Sequence, residues 1–176
     1  GSASLAGAEI IYATHKYIMG DNDSKNDARR MCFLEAKRKA IEKAGTYIES
    51  LTEVKDARLT KDEVRAYSSA LLKVETVKEN WKLVGDNMAV ILKVKADVDT
   101  SHILKELSKI KGDSSVQVKI MAQQMKLKDL ERKVVGLQKQ LGKVDAPKAA
   151  TLRKDRNVVF RQIDELEAKK IAILSK

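Results

Sequence analysis

Few side chains in this chain have the type and spacing that chemistry requires. There is one cysteine, Cys32, and there are two histidines, His15 and His102. A lone thiol forms neither an internal disulfide nor a multi-thiolate metal site, and two histidines do not supply a histidine-based zinc set. Asp21-Asn22-Asp23 begins like a calcium loop. That loop needs an oxygen ligand near its fifth position, Gly at the sixth and Glu at the twelfth. Those positions hold Lys25, Asn26 and Cys32, so the segment reads as a turn followed by a helix cap. Cys32 falls on the inner face of an alanine-rich helix, where a small buried hydrophobe is expected rather than a nucleophile. Neither histidine has a neighbouring Cys or Asp that suggests a triad, and no phosphate loop, dinucleotide fingerprint or nucleophile elbow occurs. The sequence therefore predicts no catalytic residue, no metal site and no cofactor.

What remains is charge. The 176 residues carry a formal net charge of +10. Residues 1–112 hold 20 Lys and Arg against 17 Asp and Glu, whereas residues 113–176 hold 15 against 8. The basic excess lies in the last third, where the hydrophobic period also changes, and this places a boundary near Gly112. No apolar run approaches the ~20 residues that a membrane-spanning helix needs.

The elements that would position any site fall into two groups. Glu9–Met19 is rich in β-branched and aromatic residues and precedes a turn cluster, so it reads as a strand. Ser24 and Asp27 form a capping-box pattern. After them Ala28, Cys32, Ala36 and Ala40 recur every four residues up to Gly45, which predicts a helix lying close to a sheet and stopping at that glycine. Thr46–Val54 is β-prone and is expected to be an extended segment or edge strand. Thr60 and Glu63 cap a short helix reaching about Ala70. Leu72–Val84 and Asn87–Val98 form a hairpin joined at Gly85-Asp86-Asn87. In the second of these strands Met88, Val90, Leu92, Val94, Ala96 and Val98 alternate with residues of the other face, which become polar toward its end. Asp99 to Ser101 cap a further helix, Ile103–Ile110, ended by Gly112. The fold class is α+β: a small antiparallel sheet packed with helices, in residues 9–112.

Ala28-Arg29-Arg30, the helix from Glu35 to Ala40 ending in Ala44-Gly45, Leu59 to Glu63, Val74-Glu75, Trp81 and Val94 to Asp99 together resemble a family of exported bacterial proteins. Its named relative is the N-terminal domain of the flagellar assembly protein T, and the resemblance covers residues 9–107. It implies a periplasmic or outer-membrane-associated structural module that binds other proteins and has no known active site. The later domains of the flagellar protein have no counterpart in this chain, so a flagellar role does not carry over. Residues 1–8 read as a disordered tag, Gly1-Ser2, followed by small residues of the kind found at a signal-peptidase site.

From Val116 the period becomes that of a heptad. Val116, Ile120, Gln123, Leu127, Leu130, Val134, Leu137, Leu141 and Val144 are spaced by four and three residues in turn, the pattern of a coiled-coil seam. Gly142, Asp145 and Pro147 interrupt it. A second seam, Leu152, Val159, Leu166 and Ile173, has Arg156, Ile163 and Lys170 at its companion positions and is the poorer one; Phe160 and Leu174 widen its stripe. Residues 113–176 thus form an antiparallel helical hairpin, expected as a projecting coiled-coil arm. The residues assigned to its interface are Leu127, Leu130, Val134, Leu137 and Leu141 with Val159, Ile163 and Leu166; the competing assignment is packing inside the hairpin. The functional expectation is a non-enzymatic, periplasmic or otherwise exported module of the cell envelope. Its arm would mediate homo-oligomerisation or contact with an envelope protein. The alternative is a basic protein that binds nucleic acid or another anionic polymer. Lys126, Lys128, Arg132, Lys133, Lys139 and Lys143 would follow the phosphates, but Phe160 is the hairpin's only aromatic residue and no recognised nucleic-acid motif occurs.

Overall fold

The structure, a computed structural model, describes residues 8–55 and 59–174. The side chains of 53–55 and 171–174 lie outside the described set, as does all but Ala8 of the run of small residues read as an export site. The elements in order are β1 (Glu9–Ile18), α1 (Lys25–Lys55), α2 (Lys61–Leu71), β2 (Val74–Val84), β3 (Asn87–Val98), α3 (Thr100–Lys111), α4 (Ser114–Leu141) and α5 (Ala146–Leu174). The fold is α+β.

Local chemistry sets most of the boundaries. The Ser24 amide donates to Asp27 Oδ2 and the Asp27 amide to Ser24 Oγ, both at 3.0 Å. These reciprocal bonds satisfy donors that a helix start leaves unpaired. Thr60 and Glu63 do the same for α2. Asp99 and Asp113 cap α3 and α4 through their carboxylates. Strands β2 and β3 meet at the two-residue turn Gly85-Asp86. Gly85 has φ +63°, and glycine at the first position of a two-residue hairpin loop matches the twist of the flanking strands. Strand β2 begins at Val74 rather than Leu72, because the Leu72 amide donates to Ser68 O and ends α2.

Two expectations are corrected. Helix α1 does not stop at Gly45, and Thr46–Val54 is not a strand; α1 continues to Lys55. The four-residue spacing that runs from Ala28 to Ala40 continues through Ala44, Ile48 and Thr52, all of them buried. At 3.6 residues per turn, a step of four advances about 40° around the axis, so the buried stripe winds as the helix rises. Ala28 and Cys32 pack on Val90 and Leu92, and Ala36 and Ala40 on Ala13 and Val94. Ala44 and Ile48 have turned toward Val64 and Tyr67 of α2 and toward Ile103 and Leu107 of α3. A mid-helix glycine costs only about 1 kcal/mol relative to alanine, and burying Ile48 outweighs that.

The second correction concerns the hairpin, which packs along α1 instead of projecting. Leu127, Val134, Val159, Phe160, Ile163 and Leu166 form one core with Met31 and Leu34 of α1. Ile120, near the start of α4, joins the core of α2 and α3. Ion pairs link Asp27, Arg30 and Lys37 of α1 to Arg153, Asp164 and Glu167 of α5. Partners rise together along both helices, so α5 runs in the same direction as α1 and α4 runs against it.

The sheet is antiparallel, in the order β1-β3-β2. Its inner face meets α1. Ile10, Tyr12 and Ile18 are exposed on the outer face, which also carries Lys16, Lys78, Lys82, Lys93 and Lys95. Lys43 Nζ donates to Tyr12 O at 3.1 Å and Lys39 Nζ to Thr14 O at 3.5 Å. These two lysines of α1 occupy the carbonyls along the free edge of β1 and block the addition of another strand there.

Candidate functional site

Of the groups that sequence singled out for chemistry, Cys32 and His15 are engaged in structural contacts. Cys32 is fully buried, with Sγ 3.1 Å from His15 O. Burial raises its thiol above the ordinary range, which works against a thiolate nucleophile. The His15 ring has its Nδ1 3.0 Å from Lys39 Nζ. Burial and the Lys39 charge lower its pKa. His102 is exposed in the first turn of α3. None of the three approaches another in a way that would couple a nucleophile to a base.

Asp23 and Asp27 form the centre of a buried polar cluster. Asp23 Oδ2 accepts from Tyr17 Oη at 2.7 Å and from the Gly20 amide at 2.9 Å. Arg156 of α5, 0% exposed, reaches Asp23 Oδ1 at 2.9 Å and Asp27 Oδ2 at 2.8 Å. Arg153 adds a contact to Asp27 at 3.1 Å. Gln138 of α4 completes the cluster, accepting from Arg156 Nη1 and donating to the Tyr17 hydroxyl. Burial would raise the Asp27 pKa, but the bonds from Ser24 and the charges of Arg156 and Arg153 together hold its carboxyl below the usual value. Burial and the Asp23 carboxylate push the Tyr17 phenol up. A charge removed from water is tolerated only where it is paired and hydrogen-bonded. The cluster meets the pairing condition, although Arg156 Nε and Arg153 Nε are buried without a hydrogen-bond partner, and it ties β1, α1, α4 and α5 together.

A second polar group lies along α1 and α5. Lys37 Nζ is 2.6 Å from Glu167, and Lys170 Nζ, on a residue 7% exposed, is 2.8 Å from Glu167 and 2.9 Å from Ser69 O. Burial alone raises the Glu167 carboxyl, and the two lysines reverse that shift. Close by, burial raises the Glu131 carboxyl. No ion pair or hydrogen bond engages it among the described residues.

Of the residues assigned to an interface, Leu127, Val134, Leu141, Val159, Ile163 and Leu166 are buried, and Leu130 and Leu137 are partly buried. Their contacts are within the chain, in the hairpin itself and against α1. Ile173 and Leu174 lie outside the residues whose side chains are described. The two polar members of the poorer seam, Arg156 and Lys170, are the residues that sequence reasoning undervalued. Their positions among apolar companions required distant counterions, but nothing local pointed to Asp23, Asp27 or Glu167.

Comparison with known protein families, with curated proteins and with solved structures gives no match.

Proposed function

We propose that the chain is a non-enzymatic interaction module of the bacterial cell envelope, exported to act there, in which the hairpin supplies the contact surface. The observation that carries this reading is the outer face of α4. Val118 and Met125 lie two turns apart on that face, 68% and 65% exposed, while the seam residues are withdrawn into the chain. Large apolar side chains presented in register are the usual anchors of a helix-mediated contact. A second copy of the chain, related by a twofold axis, is the partner this reading names. The resemblance of residues 9–107 to exported envelope modules supports the location. Analytical ultracentrifugation across a wide concentration range tests it. A dimer that dissociates in the double variant Val118→Glu, Met125→Glu is expected, and a monomer at every concentration overturns self-association.

A second reading, binding to an anionic polymer, is favoured by the lysines on the open face of the sheet. Phosphate contacts give binding that weakens steeply with salt. Filter binding with duplex and single-stranded nucleic acid, from low to physiological salt, distinguishes the two. Micromolar binding that survives physiological salt, and that falls when Lys78 and Lys93 are changed to Glu, would reverse the ranking.

A further inference from the structure

A wide concavity lies between α1 and α4, bounded by α2 and by the Glu167–Lys170 stretch of α5. It encloses about 760 Å³, within the range of small-molecule sites. Leu34 and Ile41 of α1 and Leu127 and Val135 of α4 give it an apolar lining. Gly136 also lines the groove, and a Cβ placed there would meet nothing within 4 Å. No close helix contact therefore demands glycine at this position, and its absent side chain widens the groove.

Polar groups in the same groove lack partners of the right kind. The Gln124 amide nitrogen is buried and has no hydrogen-bond acceptor. A buried donor left unpaired is costly, so such donors ordinarily have partners. Lys128 stands one turn further along the same face of α4, with no ion pair among the described residues, and lines the groove too. Arg65 enters from α2, and its nearest carboxylate is Glu49 at 3.8 Å. The Glu167 carboxylate is already neutralised by Lys37 and Lys170. Glu131 is the unpaired acid in the lining that lies deepest, and its burial favours the uncharged form. An apolar trough that carries a buried amide donor and two under-used cations is complementary to a hydrocarbon chain ending in an anion.

We propose that this groove binds a single-chain anionic amphiphile, its hydrocarbon lying along Leu34, Ile41, Leu127 and Val135 and its carboxylate or phosphate held by Lys128 and Arg65, with the buried Gln124 amide turning out to meet it. The groove borders the exposed stripe of α4 that carries the proposed dimer contact, but neither Val118 nor Met125 lines it, so the Val118→Glu, Met125→Glu variant is expected to lose the dimer and keep the amphiphile site.

Titration calorimetry with laurate and with dodecyl phosphate, below their micellar concentrations, tests the site; dodecyltrimethylammonium is the cationic control. Both anions are expected to saturate one site, and the cation to bind at least about tenfold more weakly, as expected for loss of a charge-assisted contact. Gly136→Leu starts a side chain at a point of the groove wall where its Cβ meets nothing within 4 Å, and it puts a better helix former on α4. It is expected to melt no lower than the parent protein and to bind both anions at least about tenfold more weakly. Lys128→Glu is expected to weaken the anions and spare the cation. Undiminished binding in a folded Gly136→Leu protein, or equal affinity for the cation, overturns the proposal. A sedimentation arm with phosphatidylglycerol vesicles separates the source. Co-sedimentation that persists in Gly136→Leu, with no saturable laurate site, assigns the lipid contact to a membrane surface and also overturns it.

Discussion

The two sides of α1 solve the same packing problem by different means. Toward the sheet, α1 presents Ala28, Cys32, Ala36 and Ala40, and small side chains bring the helix close to β1 and β3, with the charged Arg29, Lys39 and Lys43 confined to the margins of the contact. Toward the hairpin it presents Met31 and Leu34 beside Asp27, Arg30 and Lys37, and large apolar groups alternate with ion pairs. The first interface is specified by volume, so any small apolar residue satisfies it. The second is specified by pairing, because each buried charge accepts one kind of partner. Arg156 therefore fixes where α5 lies along α1 more sharply than its apolar neighbours do. The same side also holds the groove between α1 and α4.

The largest expected effect tests the hairpin side. Arg156→Ala leaves Asp23 and Asp27 buried without their main counterion, and removing one partner of such a pair costs about 3–5 kcal/mol. Urea denaturation should show that loss. Replacing Asp23 and Asp27 by Asn together with Arg156→Met should recover much of it, since the uncompensated charges are then gone. If Arg156→Ala unfolds within 1 kcal/mol or so of the parent protein, the pairing account of this interface fails.

A smaller effect tests the sheet side. Ala36→Leu inserts three carbons where the helix lies close to Ala13 and Val94, and overpacking of this sort costs about 1–3 kcal/mol. The comparison is sharpest against Gly136→Leu, where the added side chain leaves the groove wall of α4 from a Cβ with nothing within 4 Å. Equal thermal shifts for the two variants would mean that the two sides do not differ in tightness as described.

The smallest effect has the opposite sign. Gly45 lies inside α1, and a Cβ there would sit 3.7 Å from Arg65 Cγ, an ordinary contact. Gly45→Ala should stabilise the protein by about 0.5–1 kcal/mol, because glycine loses more chain entropy in a helix. A lower melting temperature would show that the helix needs glycine's freedom at that point.

The contrast also explains which features were legible in sequence. The heptad spacing from Val116 to Leu141 identified the residues that α4 withdraws from solvent, including Gln123, whose side-chain amide donates to Leu166 O. It gave no information on whether α4 would face only α5 or also α1, since either arrangement covers a similar stripe. Residues 46–54 misled for a related reason. Tyr47, Ile48 and Thr52 suit a strand by intrinsic preference, and a short apolar run does not distinguish strand from helix. The signal that did was the four-residue series begun at Ala28, which continues through Gly45. In the candidate groove, the apolar members were visible as hydrophobes, but their convergence on Gln124 and Lys128 was not.

By itself, the sequence determined the features that arise within a few residues: the reciprocal caps at Ser24–Asp27 and Thr60–Glu63, the glycine turn at Gly85, the alternation of β3 and the seam of α4. Each rests on hydrogen bonds or periodicities closed inside one element, so the residues responsible are neighbours in the chain. Tertiary structure decided that α1 runs on to Lys55, that the hairpin lies along it and that a groove remains between α1 and α4. Those outcomes depend on contacts such as Asp23–Arg156 and Lys37–Glu167, between residues well over a hundred positions apart. Such pairings form only after the whole chain has placed each charge opposite the partner it needs, and no local pattern records which partner that is.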